Sequence, residues 1–189
     1  MRDDIARVVI SHEQIQNRVR ELANEITADH AAFSPVGDGA VTIIPILTGA
    51  MIFCADLIRC LPMRMKISLL AVSSYPDAAV QSQGAKLLGQ QIGDVHGRHI
   101  LLVDDIVDTG GTMSLVRQSL ARQDPAWMRT CVLLRKATAM AHSVPVDYVG
   151  FDIPDEFVVG YGLDYADYYR NLPDIVTLKS QVTETSVRK

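Results

Sequence analysis

Three stretches of this chain are apolar at nearly every position: VTIIPIL (41–47), HILLV (99–103) and CVLL (131–134). A strand with one wet face alternates, so an unbroken apolar run marks a strand covered on both faces, the condition of a parallel sheet between helices. The intervening segments supply the covering. SHEQIQNRVRELANEITADHA reads as a helix with Ser11 as N-cap, Gln14 completing a capping box, and Ile15, Val19, Leu22 and Ile26 on one face. Further helices are predicted at about 50–60, after Thr48-Gly49, and at 111–123, ended by Pro125. IARVVI (5–10), MKISLLAVSSY, HILLVDD, MRTCVLLRK and VDYVGF complete the strands. The fold class is therefore α/β, a mostly parallel sheet flanked by helices. PDAAVQSQGAKLLGQQIGD loses its period, and its first half reads as a mobile loop; SQVTETSVRK reads as a frayed tail.

Composition narrows the function classes. With 189 residues, 48% hydrophobic and 21% charged, the chain reads as one domain able to bury a real core. Its net charge of −4 offers no basic field for nucleic acid or an acidic membrane. The N-terminus lacks a signal-peptide pattern, and no window nears the roughly 20 apolar residues of a membrane span. A soluble cytoplasmic protein is expected. Cys54, Cys60 and Cys131 are odd in number, lack CxxC spacing and sit in apolar segments, so they read as buried free thiols.

The chemistry concentrates in ILLVDDIVDTGGTM (100–113). In an open parallel sheet, ligands gather at the carboxyl ends of strands, and here a buried strand ends in Asp104, Asp105 and Asp108. Thr109, Gly110, Gly111 and Thr112 offer amides and hydroxyls at a helix start, a cradle for a monophosphate. Without a lysine, and without GxxxxGK[ST] spacing, this is not a triphosphate loop. Asp104 and Asp105 suit vicinal ribose hydroxyls, their repulsion relieved by those hydroxyls and a divalent cation. A simple capped turn does not account for three acids beside TGGT. An acidic phosphoacceptor pocket would need another acid at a separate strand end, and none stands out.

VDDIVDTGGT resembles the phosphoribosyl pyrophosphate signature of the type I phosphoribosyltransferases, and FVVGYGLDYADYYRNLP (157–173) is similar to the purine-binding segment of their hypoxanthine/guanine branch. The resemblance spans nearly the whole chain. It implies a parallel-sheet core with a small hood, here a single domain over 1–180 whose hood comes from the N- and C-terminal segments, followed by a flexible tail at 181–189. It also implies that Asp104 and Asp105 bind ribose, that residues 108–112 hold the 5-phosphate, and that Asp108 exchanges a proton with N7 of a 6-oxopurine. Lys136 then faces the purine O6. Phe157 stacks on the base, Val158 and Leu163 meet it through backbone, and Arg170 reaches pyrophosphate. Asp164, with Asp104 and Asp105, is implied as a magnesium ligand. PILTGAM resembles the pyrophosphate loop, with Leu47, Thr48 and Gly49 at its centre and a non-proline cis peptide between Leu47 and Thr48. SSYPDAAVQSQGAK resembles a mobile lid carrying Ser74 and Tyr75, although Pro76 departs from the pattern and restricts its first hinge.

Taken singly, Lys136 reads as a solvated lysine, Phe157 as core, and Arg170, in a helix-like DYADYYRNL, as a surface partner of Asp164 or Asp167. Their joint order along the chain lifts them. The implied activity is a magnesium-dependent transfer of the phosphoribosyl group from phosphoribosyl pyrophosphate to hypoxanthine, and to guanine, with release of pyrophosphate. The alternative is a regulator that uses the same fold to bind nucleotides or RNA with little turnover. Asp108 argues against it, since a sensor needs no proton-transfer acid; Asp108 with Lys136 likewise disfavours adenine and orotate. A homodimer or homotetramer is implied, with Leu57, Ile58 and Leu61 as an apolar contact.

Overall fold

The computed structural model describes residues 1–32, 40–73, 86–90 and 92–182. In chain order the elements are β1 (Ile5–Ile10), α1 (His12–Ala32), β2 (Val41–Leu47), α2 (Met51–Cys60), β3 (Met65–Ile67), β4 (Leu70–Ser73), β5 (Lys86–Gln90), β6 (His99–Val107), α3 (Gly111–Ala121), β7 (Trp127–Lys136), α4 (Ala139–His142), β8 (Tyr148–Ile153) and β9 (Ile175–Leu178). The main sheet runs β5-β4-β2-β6-β7-β8, with β3 against the first half of β2. Its pairings are parallel except that between β4 and the edge strand β5.

The unbroken apolar runs occupy the middle of this sheet and feed two cores. Leu101 and Val103 of β6 pack on one side with Ile15, Val19 and Leu22 of α1 and Phe53 and Leu57 of α2. Ile100 and Leu102, one residue out of step, pack on the other side with Met113, Val116 and Leu120 of α3. The period of two is present, but both faces are covered. At the start of α1 the capping box forms: Ser11 N–H donates to Gln14 Oε1 at 2.9 Å, and Gln14 N–H to Ser11 Oγ at 3.3 Å.

The first and last strands leave the main sheet. β1 and β9 pair antiparallel, with Ile10 opposite Ile175, and Val159 bridges to Val176 beside them. Val159, Leu172 and Val176 form a small core of their own, flanked by Ile5, Tyr165, Tyr169 and Leu178.

Three sequence expectations are corrected here. MKISLLAVSSY is not one strand: β3 follows the first half of β2 and β4 the second, and Ser68 N–H donates to Ile43 O at the break. DYADYYRNL is not helical, because Ala166, Asp167 and Tyr169 have positive φ and Tyr165 pairs with Tyr168 across a tight turn. Leu57 and Leu61 offer almost no apolar surface; both are buried in the core, Leu57 on α2 and Leu61 just past its end, leaving only Ile58 partly exposed. The three cysteines are free, two of them buried, and burial pushes the Cys54 thiol up to about 11 and Cys131 up as well. None of the described helices is long and apolar enough to cross a membrane.

Candidate active site

The crossover after β2 places α2 on one face of the sheet, and that after β6 places α3 on the other. Adjacent strands whose following helices diverge leave a crevice at their carboxyl ends, the usual ligand position in such sheets. A cleft of about 570 Å³ opens there, lined by the end of β2 and the loop after it (Ile46, Leu47, Thr48, Gly49), by Ala71, by Asp104, Asp105 and Ile106 of β6, by Thr112, and by Asp164 and Arg170. Eight of these were implied from the sequence; Ile46, Ala71 and Ile106 were not.

Asp104 and Asp105 still belong to β6, so the strand carries two carboxylates into the crevice. Burial, then the charge of Asp105, pushes the Asp104 carboxyl well above the usual carboxylate range, and burial also raises Asp105. Asp105 N–H donates to Asp104 Oδ1 at 3.0 Å, and Ile106 N–H to Asp105 Oδ1 at 2.9 Å. The Asp105 carboxylate lies where a side chain on Gly49 would be, so glycine at 49 makes room for it. The Leu47–Thr48 peptide is cis.

The TGGT turn delivers α3. Gly110 is left-handed, φ 77°, and a Cβ there would meet Val144; no side chain caps the helix start. Gly110 is thus required by the backbone itself, whereas a Cβ on Gly111 would make only an ordinary contact, 3.9 Å from Thr109 Oγ1. Asp108 and Thr109 are exposed and Thr112 is half-buried.

At the other end of the site Lys136, 12% exposed, emerges from β7 and places Nζ 3.0 Å from Asp108 Oδ2 and 3.0 Å from Asp155 Oδ1. Burial opposes its charge, but hydrogen bonds to Asp155 and Asp108 outweigh this and raise its pKa. Phe157 is 52% exposed, edge-on to Tyr165 with ring centroids 5.7 Å apart. A phenylalanine left this open is not part of the core. Val158 and Leu163 are buried. Asp108, Lys136, Phe157, Val158 and Leu163 lie beyond the lining of the cleft, as do Thr109, Gly110 and Gly111.

Arg170 ties the lower part together. It donates to Gly162 O at 2.8 Å and pairs with Asp164 at 2.8 Å and Asp167 at 3.0 Å, while Asp164 Oδ2 accepts from Asp167 N–H. The surface-partner reading of Arg170 and its place in the cleft are thus both true. Gly162, φ 105°, rests on the Gly49 carbonyl where any Cβ would collide, locking the 160–163 segment against the loop after β2. Among the described residues no three His, Cys, Asp or Glu side chains converge to hold a metal unaided. Carboxylate oxygens at the cleft floor are nevertheless the donors a hard divalent cation prefers, with ligand and water oxygens completing its shell. Ser74 and Tyr75 lie outside the described residues.

Sequence reasoning missed Asp155, the second partner of Lys136. It also missed Asp56, which accepts from the Tyr161 hydroxyl and from Gln16 and so fastens the 160–163 segment to α1 and α2. Neither stands in a stretch with a chemical signature, although Asp155 lies two residues from Phe157.

The chain matches the phosphoribosyl transferase domain family over residues 10–166. It is 41% identical over 179 residues to the hypoxanthine-guanine phosphoribosyltransferase of Mycobacterium tuberculosis, spanning 95% of this chain and 89% of that protein. To the enzyme of the same name from Bacillus subtilis it is 38% identical over 185 residues, spanning 98% and 99%. Among solved structures, a mutant of the Trypanosoma cruzi hypoxanthine phosphoribosyltransferase complexed with the product IMP superposes with a TM-score of 0.87 at 33% identity, covering 97% of this chain and 96% of that one.

Proposed function

The chain belongs to the hypoxanthine-guanine phosphoribosyltransferase family of purine-salvage transferases, and from that premise we propose how its residues divide the reaction. The observation that carries the assignment is the meeting of Lys136 and Asp108, 3.0 Å apart, with the exposed Phe157 two residues after Asp155, the second partner of Lys136. A donor and an acceptor side by side match O6 and N7 of a 6-oxopurine.

Asp104 and Asp105 accept hydrogen bonds from the ribose hydroxyls, which offsets the burial that raises both carboxyls and the charge of Asp105 that raises Asp104 further. Residues 108–112 hold the 5-phosphate at the start of α3, through backbone amides and the hydroxyls of Thr109 and Thr112. Leu47, Thr48 and Gly49 cradle pyrophosphate through the loop, and Arg170 faces it from the opposite wall. Lys136 donates to O6; Phe157 stacks on the base, and Val158 and Leu163 present backbone to it. Asp164, with Asp104 and Asp105, would hold magnesium through ligand oxygens and water. Magnesium, when bound, supplies charge neutralisation for the diphosphate.

As N9 of the base forms its bond to ribose C1, the C1–oxygen bond to pyrophosphate breaks and its electron pair leaves with pyrophosphate. The N7 proton passes to the Asp108 carboxylate. The transition state has oxocarbenium character, so excluding water protects it from hydrolysis; Ser74 and Tyr75 are assigned to that lid on resemblance alone. We read residues 1–180 as a single cytoplasmic domain whose hood is the β1–β9 sheet with its small core, 181–189 as a tail, and the assembly as a homodimer or homotetramer.

Nucleotide formation from hypoxanthine, guanine, xanthine, adenine and orotate, each with phosphoribosyl pyrophosphate and magnesium, tests the assignment. IMP and GMP should accumulate, with adenine and orotate inert. Turnover of adenine or orotate in preference to hypoxanthine would refute the roles of Asp108 and Lys136, and binding of nucleotide without turnover would favour the regulator.

A further inference from the structure

We propose that Asp155 is a positioning residue for the transfer reaction: it holds Lys136 by a carboxylate that is not the proton-transfer acid, and so leaves Asp108 free to take the N7 proton. The proposal rests on the reading of Asp108 and Lys136 given above.

Lys136 Nζ carries three N–H groups, and two of them are shared equally, at 3.0 Å each, between Asp108 and Asp155. The third remains for the ligand O6. The lysine is 12% exposed, whereas the carboxylates of Asp108 and Asp155 are 53% and 63% exposed, so the cation is the fixed centre and the anions approach from solvent on either side. With Asp108 as its sole partner, a half-desolvated ammonium would bind the carboxylate oxygen that must reach the N7 edge of the base. A second anion removes that competition, because Lys136 keeps a counter-charge when Asp108 turns to the purine. The three groups carry a net charge of −1, which also suits a base releasing a proton.

Asp155 is held to this task by its surroundings. Ala137 N–H donates to Ile153 O at 2.8 Å, joining the ends of β7 and β8 just before it. Glu156 N–H donates to Pro154 O at 2.8 Å, and the Glu156 carboxylate pairs with Arg7 of β1 at 2.7 Å. The segment leading to Phe157 is therefore pinned on both sides, with the Asp155 side chain directed at Lys136. An ordinary exposed ion pair would contribute little and touch no kinetic constant.

The test compares wild type, Asp155→Asn, Asp155→Glu and Asp108→Asn in steady-state kinetics with hypoxanthine and phosphoribosyl pyrophosphate, with melting temperatures recorded for each. Asp155→Asn should lower kcat on the order of tenfold or more, a part of the 10²–10⁴-fold typical of losing a general acid-base outright, while KM for phosphoribosyl pyrophosphate stays within about twofold. Asp155→Glu, which restores the charge, should recover most of the rate. An unaltered kcat in Asp155→Asn beside a crippled Asp108→Asn would overturn the proposal alone, as would equal losses in Asp155→Asn and Asp155→Glu. Wild type inert toward hypoxanthine, or Asp108→Asn as fast as wild type, would overturn the functional reading and the proposal together.

Discussion

Replacing Gly162 by alanine puts the coupling between the two walls of the cleft to a quantitative test. At φ 105° an L-residue is strained whatever the space around it, at about 1–3 kcal/mol. Here the added Cβ also falls on the Gly49 carbonyl oxygen, a backbone atom that cannot swing aside, and such overpacking costs about 1–3 kcal/mol more. The total is roughly 2–6 kcal/mol, and at about 2–4 °C per kcal/mol for a chain of this size the melting temperature should fall by about 4 °C at the least. Gly97 provides the control: its φ is 65°, but a Cβ there meets nothing within 4 Å, so Gly97→Ala carries backbone strain without collision. Relief of the collision must part the 160–163 segment from the loop after β2. Because Arg170 donates to Gly162 O, its guanidinium should move as well. KM for phosphoribosyl pyrophosphate should therefore rise at least several-fold in Gly162→Ala and stay unchanged in Gly97→Ala. Thermal melts and initial rates of the two variants decide the matter. Equal melting temperatures and equal KM values would refute the reasoning, since the contact would then carry neither stability nor geometry.

Gly111→Ala should fold normally, because its Cβ would lie 3.9 Å from the nearest neighbour, Thr109 Oγ1, yet weaken IMP binding on the order of tenfold by obstructing the phosphate; calorimetric titration showing wild-type affinity would place the phosphate elsewhere. Asp164→Asn should raise the magnesium concentration needed for half-maximal rate, and an unchanged requirement would leave Asp164 only as a partner of Arg170. Asp104→Asn should abolish phosphoribosyl pyrophosphate binding but stabilise the chelator-treated protein at pH 7. With a folded-state pKa raised above 3.8, the native state holds protons that the unfolded chain has released, so the wild type loses stability as pH climbs through the raised value, and the variant does not. Urea midpoints that coincide at pH 7 while differing at pH 4 would reverse that sign.

The central strands, the helices that cover them and the acids at their ends were legible because each rests on local pattern: unbroken apolar runs, a capping box, TGGT after a strand. What escaped depends on partners far along the chain. β9 is four residues long and forms only because β1 waits for it, and β5 is an edge strand without a pattern of its own. Tyr165, Tyr168, Tyr169 and Leu172 imitate a helical stripe, but Tyr168 N–H and Tyr165 N–H each bond to the carbonyl of the other, and Asp164 accepts from Asp167 N–H, so the turn wins. Leu57 and Leu61 look available as an apolar contact until α1 packs over α2. At the site, the predicted residues that line the cleft all stand within motifs, whereas Asp155 and Asp56, which stand in none, were not read from the sequence.

The pairing of the first strand with the last bears on how the protein is made. At roughly 5–20 residues per second, on the order of ten to thirty seconds of translation separate Ile10 from its partner Ile175. Throughout that interval the nascent chain carries β1 without its neighbour. Asp164 and Arg170 emerge after every strand of the main sheet, so the sheet and its acid pair can assemble before the wall that completes the cleft has been made. The cleft is therefore completed only after Ile175 has left the ribosome, when β9 reaches β1.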